Sequence, residues 1–484
     1  SDALLAVSIY FAVLGTIKLV YGSLYLGPLN RSLTFLLASL TLCLATYPGR
    51  EDSQKIWPFL LLALFLVTPL LAWLGLSSRE VVGSGWTSLA SYIYTAPVAA
   101  GIALGALWLF GRQILRLDPV LIAAPLAFYA LGLAMLQRLG AEYQGAGREE
   151  VLSVLALRHL IWFVGGLGGM LAAYKLVTHR RLARLSRKKY LLPLLAAGMI
   201  LLTWQASPEI NGRRLWLTLG PLSIQTVEIV KVLVVLFAAG YFSSEFPHLA
   251  QGGTLCGSRH LWQVIGPWAF MFGLPLLALI IQNDFGPAVL LFFFFLMVSY
   301  FASGSRLIPW LGMGLVIAAT LAGYHYRYPL VLFQRVEAWL APFEVSEHLT
   351  RGLWSIASGG MWGTGWGMGQ PHTVPLAYSD FIFSGLCEEL GFGGILAFLG
   401  LWAVFVHRGI HLARQAIDPQ AKVLASGIVL ILSLQALLVM GGVSGLIPLM
   451  GLTLPFVSHG GTSLVVNFVL LGILMRAVND IQHV

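Results

Sequence analysis

The sequence predicts an all-α polytopic membrane protein of about fourteen transmembrane helices. Three observations predict it. The 484-residue chain is 58% hydrophobic and only 10% charged, against roughly 25% charged residues in a soluble domain. Its mean hydropathy is +0.83. Runs of about 20 apolar residues alternate with short polar loops, which fits spanning helices rather than the strands of a barrel.

Taken in order, the apolar segments start near Ala3, Ser32, Trp57, Tyr92, Pro119, Arg158, Tyr190, Pro221, Gln263, Phe285, Pro309, Phe381, Lys422 and Thr462. The stretch from Ser1 to Val20 lacks a basic leader and a small-residue cleavage site, so it reads as a first helix rather than a removable signal. Residues 1–116 form an N-terminal transmembrane extension of about four helices with no assignable motif. Residues 117–484 form a second unit of about ten helices. One loop, about 325–380, is too polar and glycine-rich to span. Cys43, Cys256 and Cys387 are scattered, with neither metal-ligand spacing nor a disulfide framework.

The net charge of +9 comes from loops between helices, the positive-inside pattern of a membrane protein rather than a polyanion-binding face. The strongest basic cluster is THRRLARLSRKK, Thr178–Lys189, which places that loop in the cytoplasm. Counting helices outward puts Arg112, Arg116, Arg306, Arg408, Arg414, Lys422 and Arg476 on the same side. Four other segments then fall together on the external face: PEINGRRLWLTLGPLSIQ (Pro208–Gln225), the QND break (Gln282–Asp284), the long loop, and GLTLPFVSHGGTS (Gly451–Ser463). The polar chemistry of the chain is expected to face outward.

Within IIQNDFGPAVLL, Asp284 sits where one helix ends and the next begins, with Gly286 ending the first helix and Pro287 opening the second. A carboxylate there is either a helix N-cap or a partly desolvated general base. Glu228 and Lys231, three residues apart on one helix face, either pair structurally or line a cavity. Arg213 and Arg214, beside Trp216, run against the positive-inside bias, which fits an anionic ligand or interfacial anchoring by Arg and Trp. SIASGGMWGTGWGMGQP (Ser355–Pro371) offers flat apolar Trp faces but no phosphate-loop pattern. In YSDFIFSGLCEELG (Tyr378–Gly391), which also holds Asp380, Glu388 and Glu389 point about 100° apart on a helix, so at most one of them can share a given site and the other needs a different partner. Ser458 and His459 are expected exposed at the outer rim, His459 in a hydrogen-bonding rather than a metal-ligating role.

Together these pieces resemble the SEDS family (shape, elongation, division and sporulation), the RodA/FtsW type of peptidoglycan glycosyltransferase. The family pattern N-G-A-R-R-W-L…G-P…Q-P-S-E…K stands here as NGRRLWLTLGPLSIQTVEIVK, and Q-P-D-L-G-T-A as QNDFGPA. G-S-G-G…G-x-G stands as ASGGMWGTGWGMG, H-T-D-F-I-F…E-E-L-G as YSDFIFSGLCEELG, and P-F-[IV]-S-Y-G-G-S-S as PFVSHGGTS. The likeness is collinear from about Pro119 to Arg476 and leaves residues 1 to about 116 outside it. Leu215, Thr226-Val227, Tyr378, Val439 and His459 depart from the family pattern.

The resemblance implies polymerisation of lipid II, an undecaprenyl-linked disaccharide, into β-1,4-linked glycan strands at the outer face of the bacterial cytoplasmic membrane. It also implies a class B penicillin-binding protein as the transpeptidase partner. By position, Asp284 is the catalytic carboxylate. Arg213, Arg214, Trp216, Glu228, Lys231, Gln282, Asp380, Glu388, Ser458 and His459 belong to the surrounding cavity. The leaving pyrophosphate calls for cations, from Arg213, Arg214 and Lys231 with Mg2+ or Mn2+ as candidates; no organic cofactor is expected. Two alternatives stay open: a flippase for lipid-linked saccharide, and a glycosyltransferase acting on another polyprenyl-linked glycan.

Overall fold

A computed structural model describes residues 118–145, 155–178, 188–209, 214–219, 222–251, 258–304 and 306–479. The four N-terminal helices expected before Pro119, most of the basic cluster and Arg213 lie outside the described residues. Each later expectation, from Pro119 to Thr462, meets a helix. These are α1 (Pro119–Gly145), α2 (Leu155–Leu176), α3 (Leu191–Ala206), α4 (Thr226–Gln251), α5 (Ser258–Ile281), α6 (Phe285–Ser303) and α7 (Leu307–His325). After the long loop come α11 (Ile382–Gln415), α12 (Pro419–Val443) and α13 (Gly461–Asn479).

Among the described residues, 7 of these helices are long and apolar enough to cross a membrane. The 16 residues of α3 rise about 24 Å at 1.5 Å each, short of a hydrocarbon core of about 30 Å. A peripheral helix, α7, exposes Trp310, Leu311, Leu315 and Leu321. An apolar face of that size left uncovered is what lipid contact requires.

Two expectations need correction. The chain is not wholly α-helical: Trp216–Leu219 (β1) and Leu222–Gln225 (β2) form an antiparallel hairpin, Trp216 opposite Gln225. Consequently the helix expected from Pro221 begins only at Thr226. Gly220-Pro221 favours a turn, and residues 222–225 pair with β1 instead of joining the helix. The long loop, expected only to be unable to span, carries short helices not foreseen in it: α8 (Leu330–Leu340), the single-turn α9 (Pro342–Val345) and α10 (Glu347–Gly359). Ser346 caps α10 by accepting from the Leu349 amide at 3.3 Å, a signal masked by the loop's overall polarity.

The four segments expected on one side do meet at one end of the bundle. Gln282 Nε2 donates to Arg214 O (2.5 Å), the Gln225 amide to Thr462 Oγ1 (3.3 Å), and Trp339 Nε1 to Gly445 O (2.8 Å). At the opposite end, Arg408 grips Asp118 at 2.6 Å through both Nε and Nη2, and Asn479 reaches Tyr174 at 2.7 Å.

Candidate active site

Helix α5 stops because Asn283 adopts φ 59°, a left-handed conformation that Asn tolerates better than most residues. Asp284 follows at the N-cap position of α6, yet its side chain makes no capping hydrogen bond. Capping therefore does not account for the carboxylate. It is 5% exposed, beside Gln282 at 7%. Gly286 does not end the helix, as its sequence position implied. It lies in the first turn of α6, where a Cβ would stand 2.1 Å from Met450 O. Only glycine lets α6 approach that backbone so closely.

The segment Met450–His459 is where the predicted residues meet. Arg335 Nη1 donates to Met450 O at 3.0 Å. Arg335 Nη2 and Asp380 Oδ2 lie 3.4 and 3.7 Å from the position of a Cβ on Gly451. Thr453 O accepts from Gln435 Nε2 (2.7 Å), Gln435 Oε1 accepts from Lys231 Nζ (2.7 Å), and Lys231 pairs with Glu228 at 2.5 Å. Glu228 and Lys231 are 4% and 2% exposed. The pair is thus buried and joined to this segment by Gln435, a residue that the motifs did not single out.

Ser458 is not at an exposed rim. It is buried, donates to Ser379 O (2.7 Å) and accepts from the Leu454 amide (2.9 Å), stapling the segment to the Tyr378–Asp380 stretch. The His459 amide donates to Tyr378 O at 2.9 Å. Burial, with Arg158 as a second cause, pulls the His459 ring down to about 4. Burial chiefly, then the Asp380 carboxylate, raises the Tyr378 phenol above its ordinary value. Arg214 stands apart: its guanidinium is exposed and lies 3.6 Å from Glu209. Trp216 is half-buried in β1.

The family model for the FtsW/RodA/SpoVE group, described as cell cycle protein, matches residues 119–483. The chain belongs to this family. It is 34% identical over 454 residues to the peptidoglycan glycosyltransferase RodA of Mycobacterium bovis, covering 89% of this chain and 90% of that protein. It is 30% identical to the probable peptidoglycan glycosyltransferase FtsW of Halothiobacillus neapolitanus, over 76% of this chain and 88% of that one. A chain from a peptidoglycan synthase complex, described as coordinating polymerisation and crosslinking, superposes with a TM-score of 0.61 at 25% identity. That match covers 75% of this chain and 98% of the other. A mutant of RodA from Thermus thermophilus gives 0.53 at 25% identity with the same coverage. The mycobacterial match extends in front of residue 119, so part of the N-terminal extension is shared with that relative, which the motifs did not indicate.

In this FtsW/RodA/SpoVE chain the two adjacent glutamates of α11 do part company. Gly391 (φ 67°) breaks α11, freeing backbone groups on both sides. The glycine-rich loop takes them up. The Thr364 amide donates to Glu388 O (2.9 Å) and the Gly365 amide to Glu389 O (3.4 Å), while the Phe392 and Gly393 amides donate to Gly360 O (2.9 Å) and Met361 O (3.0 Å). A buried break needs such partners. The contact is backbone to backbone, since a Cβ on Gly391 would fall 2.0 Å from the Gly363 nitrogen. Glu389 pairs with the buried Arg138 of α1 at 3.4 Å and accepts from the Gly367 amide at 2.7 Å. Arg138 also donates to Gly367 O and Gly369 O, both at 3.0 Å. Sequence reasoning missed Arg138 altogether, although a lone arginine inside an apolar run was a signal.

Glu388 faces elsewhere, into a cavity of about 490 Å3 between α10 and the glycine-rich loop. None of Glu228, Lys231, Gln282 or Asp284 lines it. Among the described residues, no group of three or more His, Cys, Asp or Glu side chains is placed to hold a metal ion.

Proposed function

We propose that this chain polymerises lipid II into β-1,4-linked glycan strands at the outer face of the cytoplasmic membrane, with Asp284 as general base. One observation carries the reading: a buried carboxylate at a helix break, not used as a cap, next to the segment that meets Asp380, Ser458 and, through Gln435, the Glu228–Lys231 pair. The acceptor sugar hydroxyl attacks the anomeric carbon of the donor. Its proton passes to the Asp284 carboxylate as the bond to the pyrophosphate oxygen breaks, and undecaprenyl pyrophosphate leaves with inversion at carbon. A positioned base contributes about 10²–10⁴-fold to such a step.

Cations offset the charge developing on the leaving group. Arg213 and Arg214 are the candidates that remain to meet it. Lys231, already paired with Glu228, acts through Gln435 on the segment beside Asp284 and is a positioning residue. Mg2+ or Mn2+ would be held mainly by the phosphate oxygens of the substrate with one carboxylate from the chain, as Mg2+ commonly is, and would neutralise leaving-group charge. Both lipid tails stay in the bilayer throughout, which suits a site at the end of a helix bundle. A class B penicillin-binding protein is the proposed partner, in keeping with the synthase complex that contains a similar chain.

The test is direct. The full chain, with and without a candidate transpeptidase, is incubated with lipid II and Mg2+ or Mn2+, and products are resolved as glycan ladders. Polymer from the wild type, with a loss of at least about 100-fold in Asp284→Asn, is expected. No polymer under any condition defeats the reading, and translocation of lipid II in liposomes without polymer replaces it with a flippase. Undiminished polymer in Asp284→Asn removes Asp284 alone.

A further inference from the structure

The cavity against Glu388 is built unlike a phosphate site. On α10, Arg351, Trp354, Ser355 and Ser358 recur at intervals of three and four, so one helix face forms its wall. The buried floor is Ser355 and Glu388, each 6% exposed, while Trp354 at the rim is 63% exposed. At about 490 Å3 the space falls within the roughly 300–1,000 Å3 of small-ligand pockets.

Its hydrogen-bonding character is one-sided. The hydroxyl protons of the lining are committed to the protein: Ser355 to Glu388 Oε2 (2.6 Å), Ser358 to Ser355 O (2.8 Å), Thr364 to Glu388 O (3.1 Å) and Thr373 to Gln370 O (2.8 Å). What those hydroxyls offer a ligand is oxygen lone pairs. A carboxylate has about four acceptor positions. At Glu388 the Gln370 amide (2.6 Å) and Ser355 each fill one. The cation, Arg351, is already held by Glu347 at 2.6 Å and by Thr373 O at 2.9 Å. These two contacts leave other Arg351 N–H groups at the rim, but across the floor a pyrophosphate, which only accepts, would meet the Glu388 carboxylate and hydroxyl oxygens. A molecule rich in O–H and N–H donors with a flat apolar face would be satisfied, its face against the indole of Trp354.

We propose that this cavity is a second, lipid-independent subsite that holds a neutral β-1,4-linked N-acetylated saccharide, the strand already polymerised. The identity of the strand rests on the polymerase reading above; the existence of a saccharide site does not. Holding the product on the same chain that makes it keeps it at high effective concentration, so that successive additions occur on one strand.

The probe is chitotetraose, a tetramer of β-1,4-linked N-acetylglucosamine that carries no lipid, phosphate or peptide, titrated into the full chain in nanodiscs and followed by saturation-transfer NMR. Saturable binding by the wild type is expected, weakened about tenfold in Trp354→Ala and retained in Trp354→Phe, as loss of one aromatic platform implies. Asp284→Asn is expected to bind as the wild type does. With lipid II as substrate, Trp354→Ala is expected to give strands shorter by about threefold. Trp354 is exposed, so its replacement leaves the fold intact. Absence of saturable binding by the wild type, equal binding by Trp354→Ala, or loss of binding in Asp284→Asn would each overturn the proposal. Binding of chitotetraose by a chain that makes no polymer would uphold the subsite while the polymerase reading fell.

Discussion

Two buried ion pairs invite comparison. Lys231 and Glu228 have side chains 3% and 5% exposed, and Arg138 and Glu389 have 4% and 0%. By charge and burial they are alike, and either pair, met in a membrane sequence, would be taken for a functional site. They differ in where their remaining hydrogen bonds go. Lys231 passes through a side-chain amide, Gln435, to the segment beside Asp284. Arg138 and Glu389 direct theirs to the backbone of Gly367 and Gly369, closing the loop over the break in α11. Both routes end on backbone, at Gly367 and Gly369 for one and at Thr453 O for the other. The first clamps a loop directly, while the second reaches the segment beside Asp284 through one further side chain, Gln435, and is placed to serve a reaction.

The comparison breaks most sharply at Arg138. Arg138→Met strands the Glu389 charge and leaves two glycine carbonyls without this donor. Removing one partner of a buried pair costs about 3–5 kcal/mol. A large fall in the thermal midpoint of the purified chain is expected, with activity per folded molecule changed far less. A midpoint within error of the wild type would show that the loop over the break does not depend on Arg138.

A smaller effect on stability and a large one on activity are expected at the other pair. In the double variant Glu228→Gln/Lys231→Met both charges go together, which is often close to neutral for stability, while Gln435 loses its donor. Glycan-ladder assays should register a loss of about 100-fold, the scale of removing one positioned polar group from a catalytic site. If the double variant melts early and polymerises normally per folded molecule, the two pairs are of one kind and the distinction fails.

The helices after Pro119 were legible because a bilayer demands long apolar stretches of about 20 residues, a demand that 7 of the ten meet in full while α3, α5 and α6 offer shorter apolar runs. The convergence of polar segments at one end was legible from the placement of Arg and Lys in the loops. The hairpin was not, because residues 222–225 run directly into an apolar helix and share its composition. Nor were the partners of Asp284's neighbourhood: Gln435 and Thr453 are ordinary residues whose role comes only from lying next to each other in space. Glu388 and Glu389 show the limit most plainly. Helix periodicity required them to diverge, but which one would face a cavity depended on Arg138, 251 positions from Glu389 along the chain.

The smallest of these effects concerns His459, in the connection between α12 and α13. Its ring is packed near His159 (centroids 5.7 Å apart) and Tyr378 (6.4 Å), and among the described residues Nδ1 has no hydrogen-bond partner. Burial, with Arg158 second, lowers it from 6.5 to about 4, so the native ring is neutral at pH 7. An unfolded chain would take up a proton below about pH 6.5, and the folded one refuses it until about pH 4. Stability is therefore complete above 6.5 and is lost as pH falls from 6.5 towards 4. A tenfold change in proton affinity is about 1.4 kcal/mol, giving a ceiling of about 3 kcal/mol that partial exposure of the ring reduces. His459→Gln keeps the polar character and the backbone bond to Tyr378 without the titration. Thermal midpoints at pH 7.5 and pH 5.0 should differ less for this variant than for the wild type, since the variant has no imidazole to keep neutral in acid at this position. Equal acid sensitivity in both would assign the low-pH loss to other groups and leave His459 a packing residue.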